Sequence, residues 1–286
     1  MTPQDYDFIR KLLKERSGLV LGPDKQYLLE SRLLPVVRKG GFGDLSGLIA
    51  ALRASPSSPL VNTVVEGMTT NESLFFRDKL PFDNFREVVI PALLEARKRT
   101  KFIRIWCAAA ATGQEPYSLA MALKEMSVKL SGWRVEILAT DLSTDALERA
   151  KAGLYSQFEV QRGLPIQMLV KYFSKVGEQW QIAPEIRHMV TFRHSNLLHD
   201  FSSFGLFDVV FCRNVLIYFE PVMKSSVLNR LGRSVTSDGY LMLGAAETVV
   251  GLSDAFRPLN NHRGVYVPEP RTASPERQLV AAKLAY

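Results

Sequence analysis

The sequence predicts an α/β protein in which a small all-helical domain precedes a larger domain built on a doubly wound parallel sheet. The first 65 residues show only the helical spacing of apolar side chains, as in Phe8, Ile9 and Leu12. Beyond residue 100, short apolar runs of strand character alternate with helical segments, which is typical of parallel sheets. A composition of 47% hydrophobic and 23% charged residues over 286 residues fits a globular chain with a sizeable core.

The N-terminal helical domain is predicted to span residues 1–67. Its helices are separated by Gly22-Pro23, by the glycine-rich run 40–43 and by the Ser/Pro-rich run 55–59. Pro35 lies inside the second helix, where proline removes a backbone hydrogen bond and clashes with the preceding turn at a cost of about 3 kcal/mol. We therefore expect this helix to kink or to end near Pro35.

The larger domain is predicted over residues 81–286, after a connecting arm at 68–80. Right-handed crossovers between its strands give a doubly wound layered structure. The stretch 153–188, which contains one alternating run, is interpreted as a small subdomain at the edge of the sheet, and the tail 268–286 is expected to be mobile. Strands are predicted at 102–107, 135–140, 189–193, 207–212, 240–244 and 265–267, with helices after the first, second and fourth of them.

Several protein classes are disfavoured by composition. No stretch reaches the roughly 18 consecutive apolar residues of a membrane helix, and the N-terminus lacks a signal-peptide pattern. The two cysteines, Cys107 and Cys212, are far apart, and the four histidines show no metal-ligand spacing. We therefore expect a cytoplasmic protein without disulfides, a metal site or membrane insertion.

The turn after the first predicted strand has the position of a nucleotide-type binding loop. Residues 108–113 consist of four alanines, a threonine and Gly113, and a helix opens directly afterwards. Dinucleotide sites need several glycines because a pyrophosphate packs against the backbone, so a ligand without phosphates, such as S-adenosylmethionine, fits a loop with one glycine better. Tight packing of strand against helix explains the same residues equally well.

Polar residues also follow the second and fourth predicted strands. Asp141 ends the second strand, where its carboxylate could accept hydrogen bonds from a ribose diol, or alternatively cap the following helix. Arg213 and Asn214 follow the fourth strand at the same edge of the sheet. No prolines follow Asn214, which argues against the Asn/Asp-Pro-Pro-aromatic pattern of adenine methyltransferases.

The arm at 68–80 combines polar and aromatic side chains. Asn71, Ser73 and Arg77 flank the pair Phe75-Phe76. Such a segment could anchor by its aromatic rings and offer hydrogen-bond donors to a carboxylate. From spacing alone, an ordinary capped helix start is the preferred interpretation.

Four segments, in order, resemble the CheR-type chemotaxis receptor methyltransferases, which are S-adenosylmethionine-dependent protein-glutamate O-methyltransferases. The resemblance covers nearly the whole chain. It implies a Rossmann-like methyltransferase domain with a small inserted antiparallel β-subdomain, preceded by an all-helical domain. The segments are Thr-Asn-Glu-Ser-Leu-Phe-Phe-Arg at 70–77, Ala-Ala-Thr-Gly-Gln-Glu-Pro-Tyr-Ser at 110–118, Ala-Thr-Asp at 139–141, and Phe-Asp-Val-Val-Phe-Cys-Arg-Asn-Val-Leu-Ile-Tyr-Phe at 207–219.

The same resemblance implies roles for individual residues. Arg77 and Tyr218 would lie near the transferring methyl group as catalytic residues. Two positions depart from the family pattern: Ser73 stands where threonine is frequent and keeps the hydroxyl, whereas Ala111 stands where serine is frequent and removes one possible donor. Cofactor contacts are implied for Asn71, Ser73, Arg77, Glu115 at the amino-acid end, Asp141 on the ribose, Asn196 and Leu197 beside the adenine, Arg213 and Asn214.

The resemblance also concerns the partner. Members that tether to a C-terminal receptor pentapeptide carry a longer glycine-rich loop in the β-subdomain, whereas the run 174–180 is short here, so we expect pentapeptide-independent binding to receptor helices by a monomer. Lys25, Arg32 and Lys39 are spaced to share a helix face that could grip an acidic receptor helix, although a solvated surface explains them as well. Residues 1–85 contain 11 basic and 10 acidic side chains, so the helical domain has no marked net charge for binding nucleic acid, which is not expected as a partner.

The sequence does not exclude two other functions. One is a methyltransferase that acts on a small molecule or a nucleic acid, and the other is a cofactor-binding regulator without turnover. For transfer to glutamate no general base is required, because a carboxyl with a pKa near 4.3 is ionised at neutral pH. The sequence shows no Ser-His-Asp, Cys-His or paired-carboxylate arrangement, which agrees with that chemistry.

Overall fold

A computed structural model describes residues 1–56 and 58–270. The N-terminal part consists of helices whose apolar faces meet in one core, which includes Ile9, Leu29 and Leu48. The first helix starts with a capping box between Thr2 and Asp5, as expected for a Ser/Thr residue followed three positions later by an acid. The helices are α1 (Pro3–Ser17), α2 (Gln26–Lys39), α3 (Leu45–Ala54) and α4 (Pro59–Met68).

Helix α2 does not end at Pro35. It continues to Lys39, so the early end, one of the two alternatives expected at Pro35, is wrong. Leu33, Val36 and Val37, on both sides of the proline, are buried in the helical core. Burying such side chains yields about 1.5–3 kcal/mol each, which together exceeds the cost of about 3 kcal/mol for an interior proline.

Residues 80–96 form one continuous helical stretch before the sheet, with a π-helical turn at Phe85–Val89 between α5 (Leu80–Asn84) and α6 (Ile90–Ala96). The middle turn of this stretch is therefore wider than that of a regular α-helix. The remaining helices are α7 (Gln114–Glu125), α8 (Thr144–Ala152), α9 (Gln157–Gln161), α10 (Ile166–Tyr172), α11 (Pro184–Arg187) and α12 (Pro221–Ser234).

A seven-stranded sheet forms the larger part. Its strands are β1 (Phe102–Cys107), β2 (Arg134–Asp141), β6 (Val190–His194), β7 (Phe207–Cys212), β8 (Val235–Leu243), β9 (Phe256–Pro258) and β10 (Val265–Pro268). A second, three-stranded sheet consists of β3 (Leu154–Ser156), β4 (Phe173–Val176) and β5 (Gln179–Ile182). The order in the large sheet is β6-β2-β1-β7-β8-β10-β9.

The large sheet has its topological switch point between β1 and β7. The chain moves outward from β1 through β2 to β6, and then returns to the other side of β1 through β7 and β8. These five strands are parallel, whereas β10 and β9 add antiparallel edges. Ligands in open α/β sheets bind beside the carboxyl ends of the strands at such a switch point. The residues that follow β1 and β7 are therefore the expected ligand-binding residues.

Alternating side chains of β1 face two separate cores. Ile105 packs in the cluster that contains Leu119 of α7, and Trp106 packs in the cluster that contains Leu228 of α12. The sheet is therefore covered by helices on both faces, as the near-continuous apolar strands require. Strand β9 was not predicted, and β8 begins several residues earlier than expected.

The insertion contains the small antiparallel sheet in the order β3-β5-β4. Phe75 of the arm packs between this sheet and the large domain, with its ring centroid 5.0 Å from that of Tyr155 and 5.6 Å from that of Phe173. Both contacts are edge-to-face, the arrangement that aromatic quadrupoles favour. The aromatic residues of the arm thus act as the predicted anchor.

Hydrogen bonds join the helical part to the larger domain, among them contacts at two places near the carboxyl edge of the sheet. The carboxylate of Glu66, near the end of α4, accepts hydrogen bonds from the backbone N–H of Thr144 at 3.1 Å and from its hydroxyl at 2.9 Å. At the second place the backbone N–H of Val20 donates to the carbonyl of Tyr218 at 3.1 Å. These contacts join the helical domain to the carboxyl edge of the sheet.

Within the described ranges, no helix is long and apolar enough to cross a membrane, and no group of three or more His, Cys, Asp or Glu side chains could hold a metal ion. Most of the tail that was predicted to be mobile, residues 271–286, lies outside the described residues. The first residues of that tail continue the fold, because Pro268 ends β10 and the N–H of Glu269 donates to the carbonyl of Ala255 at 3.0 Å.

Candidate active site

A cleft with about 1020 Å³ of empty space, including its open mouth, lies at the carboxyl ends of β1, β2 and β7. The arm and the loop between α1 and α2 form its other walls. All the site residues predicted from the sequence line this one cleft, although they come from segments far apart in the chain. They are Asn71, Ser73, Arg77, Glu115, Asp141, Asn196, Leu197, Arg213, Asn214 and Tyr218.

The turn after β1 forms the floor of the cleft. Ala111 and Gly113 both have positive φ, 47° and 94°, so the backbone doubles back sharply before α7. A Cβ at position 113 would lie 3.0 Å from that of Ala150 and 3.1 Å from the hydroxyl of Tyr155, which leaves no room for a side chain. Gly113 thus serves the close packing of strand, turn and helix, and Ala108, Ala109 and Ala111 line the cleft.

Asp141 is held by the backbone on both oxygens. Its Oδ2 accepts from the N–H of Ala111 at 2.8 Å, and its Oδ1 accepts from the N–H of Ser143 at 2.9 Å. The N-cap of α8 is Ser143, whose hydroxyl accepts from Ala146, so Asp141 is not the capping residue. Burial raises the pKa of Asp141, and the hydrogen bonds from Ser143 and Ala111 oppose that rise. The carboxylate is therefore fixed in the cleft with lone pairs left for a ligand.

Arg213 is the centre of a buried ion cluster. Its Nη1 donates to Oε2 of Glu115 at 2.8 Å, and its Nη2 donates to Oδ2 of Asp78 at 2.7 Å and to the carbonyl of Arg77 at 3.0 Å. The Arg213 side chain is 1% exposed, and its Nε–H has no acceptor among residues 1–56 and 58–270. Burial raises the pKa of Glu115, and Arg213 opposes that rise. The cluster ties the arm to the sheet and leaves one buried donor without a protein partner.

The arm itself is extended and not helical. Residues 70–74 have no regular secondary structure and are followed by a turn, so the preferred interpretation as a capped helix start is wrong. The backbone N–H of Phe76, which has a φ of 51°, donates to the hydroxyl of Ser118 on α7 at 2.9 Å. Among the described residues the side chain of Arg77 makes a single weak hydrogen bond, from Nη1 to the carbonyl of Glu72 at 3.4 Å, so its guanidinium is largely available to a ligand in the cleft.

The segment after β6 is held by side-chain contacts on both sides. Asn196 donates from Nδ2 to the carbonyl of Arg16 at 2.7 Å and accepts at Oδ1 from the N–H of Leu198 at 2.9 Å. The Nη2 of Arg230 donates to the carbonyl of Leu197 at 2.6 Å. The amide of Asn196 is thus committed to protein contacts, and the segment presents a fixed wall to the cleft.

Some residues at the cleft were not predicted. Ser17 and Leu19 line it from the helical domain, and nothing in their sequence environment indicates this, because the contact arises from docking of the two parts. Glu247 lies behind the cleft, where its carboxylate accepts from the loop after β7. A glutamate three positions after Gly244, at the carboxyl end of a strand, was a signal that could have been used.

The three basic residues predicted to share a face of α2 differ in their contacts. Arg32 donates from Nη1 to the carbonyl of Met68 at 2.7 Å, which fixes the end of α4. Lys25 stands at the N-cap position of α2 and pairs with the neighbouring Asp24 at 3.1 Å. Of the three basic residues, Lys39 is exposed at the end of the helix.

A parallel sheet with its switch point beside a one-glycine turn, a fixed carboxylate after β2 and a polar cleft define the S-adenosylmethionine-binding class of Rossmann-like domains. Two family descriptions match the chain: "CheR methyltransferase, SAM binding domain" over residues 71–265 and "CheR methyltransferase, all-alpha domain" over residues 4–69. The chain therefore belongs to the CheR methyltransferase family and is an S-adenosylmethionine-dependent methyltransferase.

Curated relatives cover nearly the whole chain. Chemotaxis protein methyltransferase 1 of Vibrio cholerae is 40% identical over 268 residues, which are 93% of this chain and 96% of the relative. Chemotaxis protein methyltransferase 1 of Pseudomonas aeruginosa is 41% identical over 265 residues, which are 91% of this chain and 96% of the relative. A solved structure described as the DhpI-SAH complex covers 71% of this chain and 85% of that chain, with 15% identity and a TM-score of 0.31.

The residues of the cleft fit S-adenosylmethionine. The orphaned Nε–H of Arg213 matches the carboxylate of an amino acid, and the fixed carboxylate of Asp141 matches a ribose diol. The turn has a single glycine, so side chains limit the close approach of a phosphate to its backbone, which agrees with a cofactor that lacks phosphates.

Proposed function

We propose that the protein transfers a methyl group from S-adenosylmethionine to glutamate side-chain carboxylates of methyl-accepting chemotaxis receptors. The products are glutamate methyl esters and S-adenosylhomocysteine. Membership in the CheR family and the names of the relatives support the chemotaxis assignment. The observation that carries the proposal is that four separate motifs converge on one cleft at the switch point of the sheet.

The proposed cofactor contacts match the charge and the hydrogen-bonding groups of the cleft residues to the parts of the cofactor. Asp141 accepts from the ribose hydroxyls, because both of its oxygens are aimed by backbone N–H groups. The amino-acid end lies near Glu115 and Arg213, whose opposite charges suit an ammonium and a carboxylate. The adenine lies against Asn196 and Leu197, and the remaining contacts come from Asn71, Ser73, Arg77 and Asn214.

Catalysis in this proposal rests on alignment. The bound cofactor supplies an electrophilic methyl group on a sulfonium, and the acceptor glutamate is ionised at neutral pH, so no protein base has to remove a proton. Arg77, whose guanidinium makes a single weak hydrogen bond within the described residues, orients the acceptor carboxylate, and Tyr218 lines the same cleft. Holding two reacting groups in line can contribute roughly 7–11 kcal/mol to the barrier reduction.

The proposed partner is a cytoplasmic receptor helix that is bound by a monomer without a C-terminal pentapeptide. The connection between β4 and β5 supports the last point, because it consists only of Gly177 and Glu178. A two-residue hairpin has no spare length to form a peptide-binding loop. A receptor fragment with and without its last five residues should therefore give the same KM, and a KM that rises on truncation would overturn this part of the proposal.

The function is tested with methyl-labelled S-adenosylmethionine and receptor cytoplasmic fragments. We expect label in the receptor as an alkali-labile ester that releases methanol. Alkali-stable label, or label in RNA, DNA or a small molecule, would favour the rival class of methyltransferase. Cofactor binding without transfer to any acceptor would favour a regulator.

The role of Arg77 is tested by Arg77→Ala in the same assay. We expect kcat to fall about 100-fold, the loss typical of a displaced reacting geometry, while the melting temperature stays close to that of the wild type. The matched control is Arg99→Ala, which removes an exposed arginine outside the cleft. A rate near wild type in Arg77→Ala would remove this residue from the proposed mechanism.

A further inference from the structure

Glu247 holds the loop between β7 and α12 from behind the cleft. Its side chain is buried, and its carboxylate accepts five backbone hydrogen bonds. Oε2 accepts from Asn214 and Gly244, both at 2.8 Å. Oε1 accepts from residues 215–217 at 3.0, 2.8 and 3.3 Å. One carboxylate therefore accepts hydrogen bonds from four consecutive N–H groups of a single loop and from one N–H group at the end of β8.

These N–H groups lie at the start of a short helical turn. Asn214 has a φ of 57°, in the left-handed region, and the following turn at Leu216–Tyr218 starts at Val215 without a side-chain cap of its own. Consecutive donors at the start of a helical turn point inward and need an acceptor, preferably a negatively charged one. Glu247 supplies that acceptor from 30 positions further along the chain.

Gly244 makes the arrangement possible. A Cβ at this position would lie 2.7 Å from Oε2 of Glu247 and 3.0 Å from both the N and Nδ2 atoms of Asn214. Real Cβ atoms essentially never lie 2.7 Å from another heavy atom, so with a side chain at position 244 the Glu247 carboxylate would have to shift away from its backbone donors. The absence of a side chain at the end of β8 thus leaves space for the Glu247 carboxylate.

The loop that Glu247 fixes carries two residues of the cleft. Asn214 lies at its start and Tyr218 at its end, and both line the cleft directly. Glu247 itself does not line this cleft. Its direct hydrogen bonds are to the backbone of the loop, and through that backbone it sets the shape of the cleft wall.

We propose that Glu247 is a positioning residue for methyl transfer, whose carboxylate sets the backbone of residues 214–217 so that Asn214 and Tyr218 face the cofactor and the acceptor. The assignment of those two residues rests on the proposed function. The carboxylate is needed because both of its oxygens accept. Glutamine at position 247 keeps the size of the side chain but replaces one acceptor oxygen by an NH₂ group, which cannot accept from a backbone N–H. Either the hydrogen bonds from Asn214 and Gly244 or those from residues 215–217 are then lost.

The test is Glu247→Gln, with Asp208→Asn as the matched control. Asp208 is also a buried carboxylate that accepts a backbone hydrogen bond, from Arg104 at 2.8 Å, but it lies near the start of β7, away from the cleft. For Glu247→Gln we expect the Kd for S-adenosylhomocysteine to rise about tenfold by calorimetry, and kcat to fall about 10- to 100-fold. For Asp208→Asn we expect both values within about twofold of wild type at a comparable loss of melting temperature.

The outcomes separate the two proposals. A wild-type protein that binds S-adenosylhomocysteine but methylates no receptor would overturn the proposed function and leave the Glu247 assignment testable through Kd. An unchanged Kd and kcat in folded Glu247→Gln would overturn the positioning role, and so would equal losses in the Asp208 control.

A measurement on the wild-type protein covers the case in which Glu247→Gln does not fold. Hydrogen exchange without cofactor should show residues 214–217 as slowly exchanging as the neighbouring strand β7, because each of their N–H groups is bonded to the buried carboxylate. Exchange at the rate of an exposed loop would contradict the proposal.

Discussion

Replacing Arg213 by methionine should destabilise the protein strongly, because it leaves a buried carboxylate without its counter-ion. The Arg213 side chain is 1% exposed and that of Glu115 is 10% exposed, with Nη1 and Oε2 at 2.8 Å. Methionine keeps much of the volume but removes every hydrogen-bond donor. Removing one partner of a buried ion pair costs about 3–5 kcal/mol, a large part of the 5–15 kcal/mol that stabilises a typical domain.

The loss caused by Arg213→Met should depend on pH. Burial already raises the pKa of Glu115, and Arg213 opposes this rise by its charge and its hydrogen bond, so the pKa of Glu115 rises further in the variant. A carboxyl whose pKa is higher in the folded than in the unfolded state stabilises the fold fully below its unfolded pKa, and this stability is lost as the pH rises through the folded pKa. The variant should therefore be weakest relative to wild type at alkaline pH and recover on acidification.

Urea unfolding followed by circular dichroism at about pH 8 and about pH 5 measures both effects. The control is the double variant Glu115→Gln with Arg213→Met, which buries no charge and should recover most of the lost free energy. A loss below about 1 kcal/mol, as for an exposed pair, would refute the reasoning, and so would a loss that is the same at both pH values and unaffected by Glu115→Gln.

Two further variants test the arm and the ribose carboxylate. Phe75→Ala removes a fully buried ring that contacts Tyr155, so thermal or urea unfolding should show a loss of about 3–5 kcal/mol, and a loss below about 1 kcal/mol would contradict the anchoring role. Asp141→Asn should raise the Kd for S-adenosylhomocysteine about 10- to 100-fold, because it weakens charge-assisted hydrogen bonds, while a Kd within about twofold of wild type would contradict the ribose contact. In the wild type, cofactor binding should weaken as the pH falls, because Asp141 becomes protonated. Burial raises the pKa of Asp141, so the weakening should begin at a higher pH than the pKa of an ordinary aspartate would give.

The sequence predicted the parallel strands and the converging cleft because both depend on local patterns. Apolar runs followed by turns mark strands, and the carboxyl ends of parallel strands meet at one edge, so Asp141 and Arg213 were expected to lie near each other. Strand β9 was missed because it has only three residues, of which Arg257 and Pro258 are atypical of strands. Its existence depends on pairing with β10 and not on its own pattern.

The features that the sequence did not predict depend on distant contacts. Arg32 was interpreted as part of an exposed face, whereas its guanidinium reaches a carbonyl 36 positions away. Glu247 accepts from a loop that precedes it by 30 or more positions, and helical spacing or strand alternation carries no information about such a contact. The extended course of the arm follows from the burial of Phe75 in the small sheet, which overrides the local preference for a helix start.

The chemical identity of the acceptor group distinguishes the proposed function from its rivals. Receptor cytoplasmic fragments incubated with the protein and S-adenosylmethionine can be digested and mapped by tandem mass spectrometry. The proposed function predicts a mass increase of one methyl group on glutamate side chains, lost after alkaline treatment and absent when those glutamates are replaced by alanine. Methylation confined to lysine, arginine or a non-protein acceptor, under conditions in which the protein binds S-adenosylhomocysteine, would contradict it.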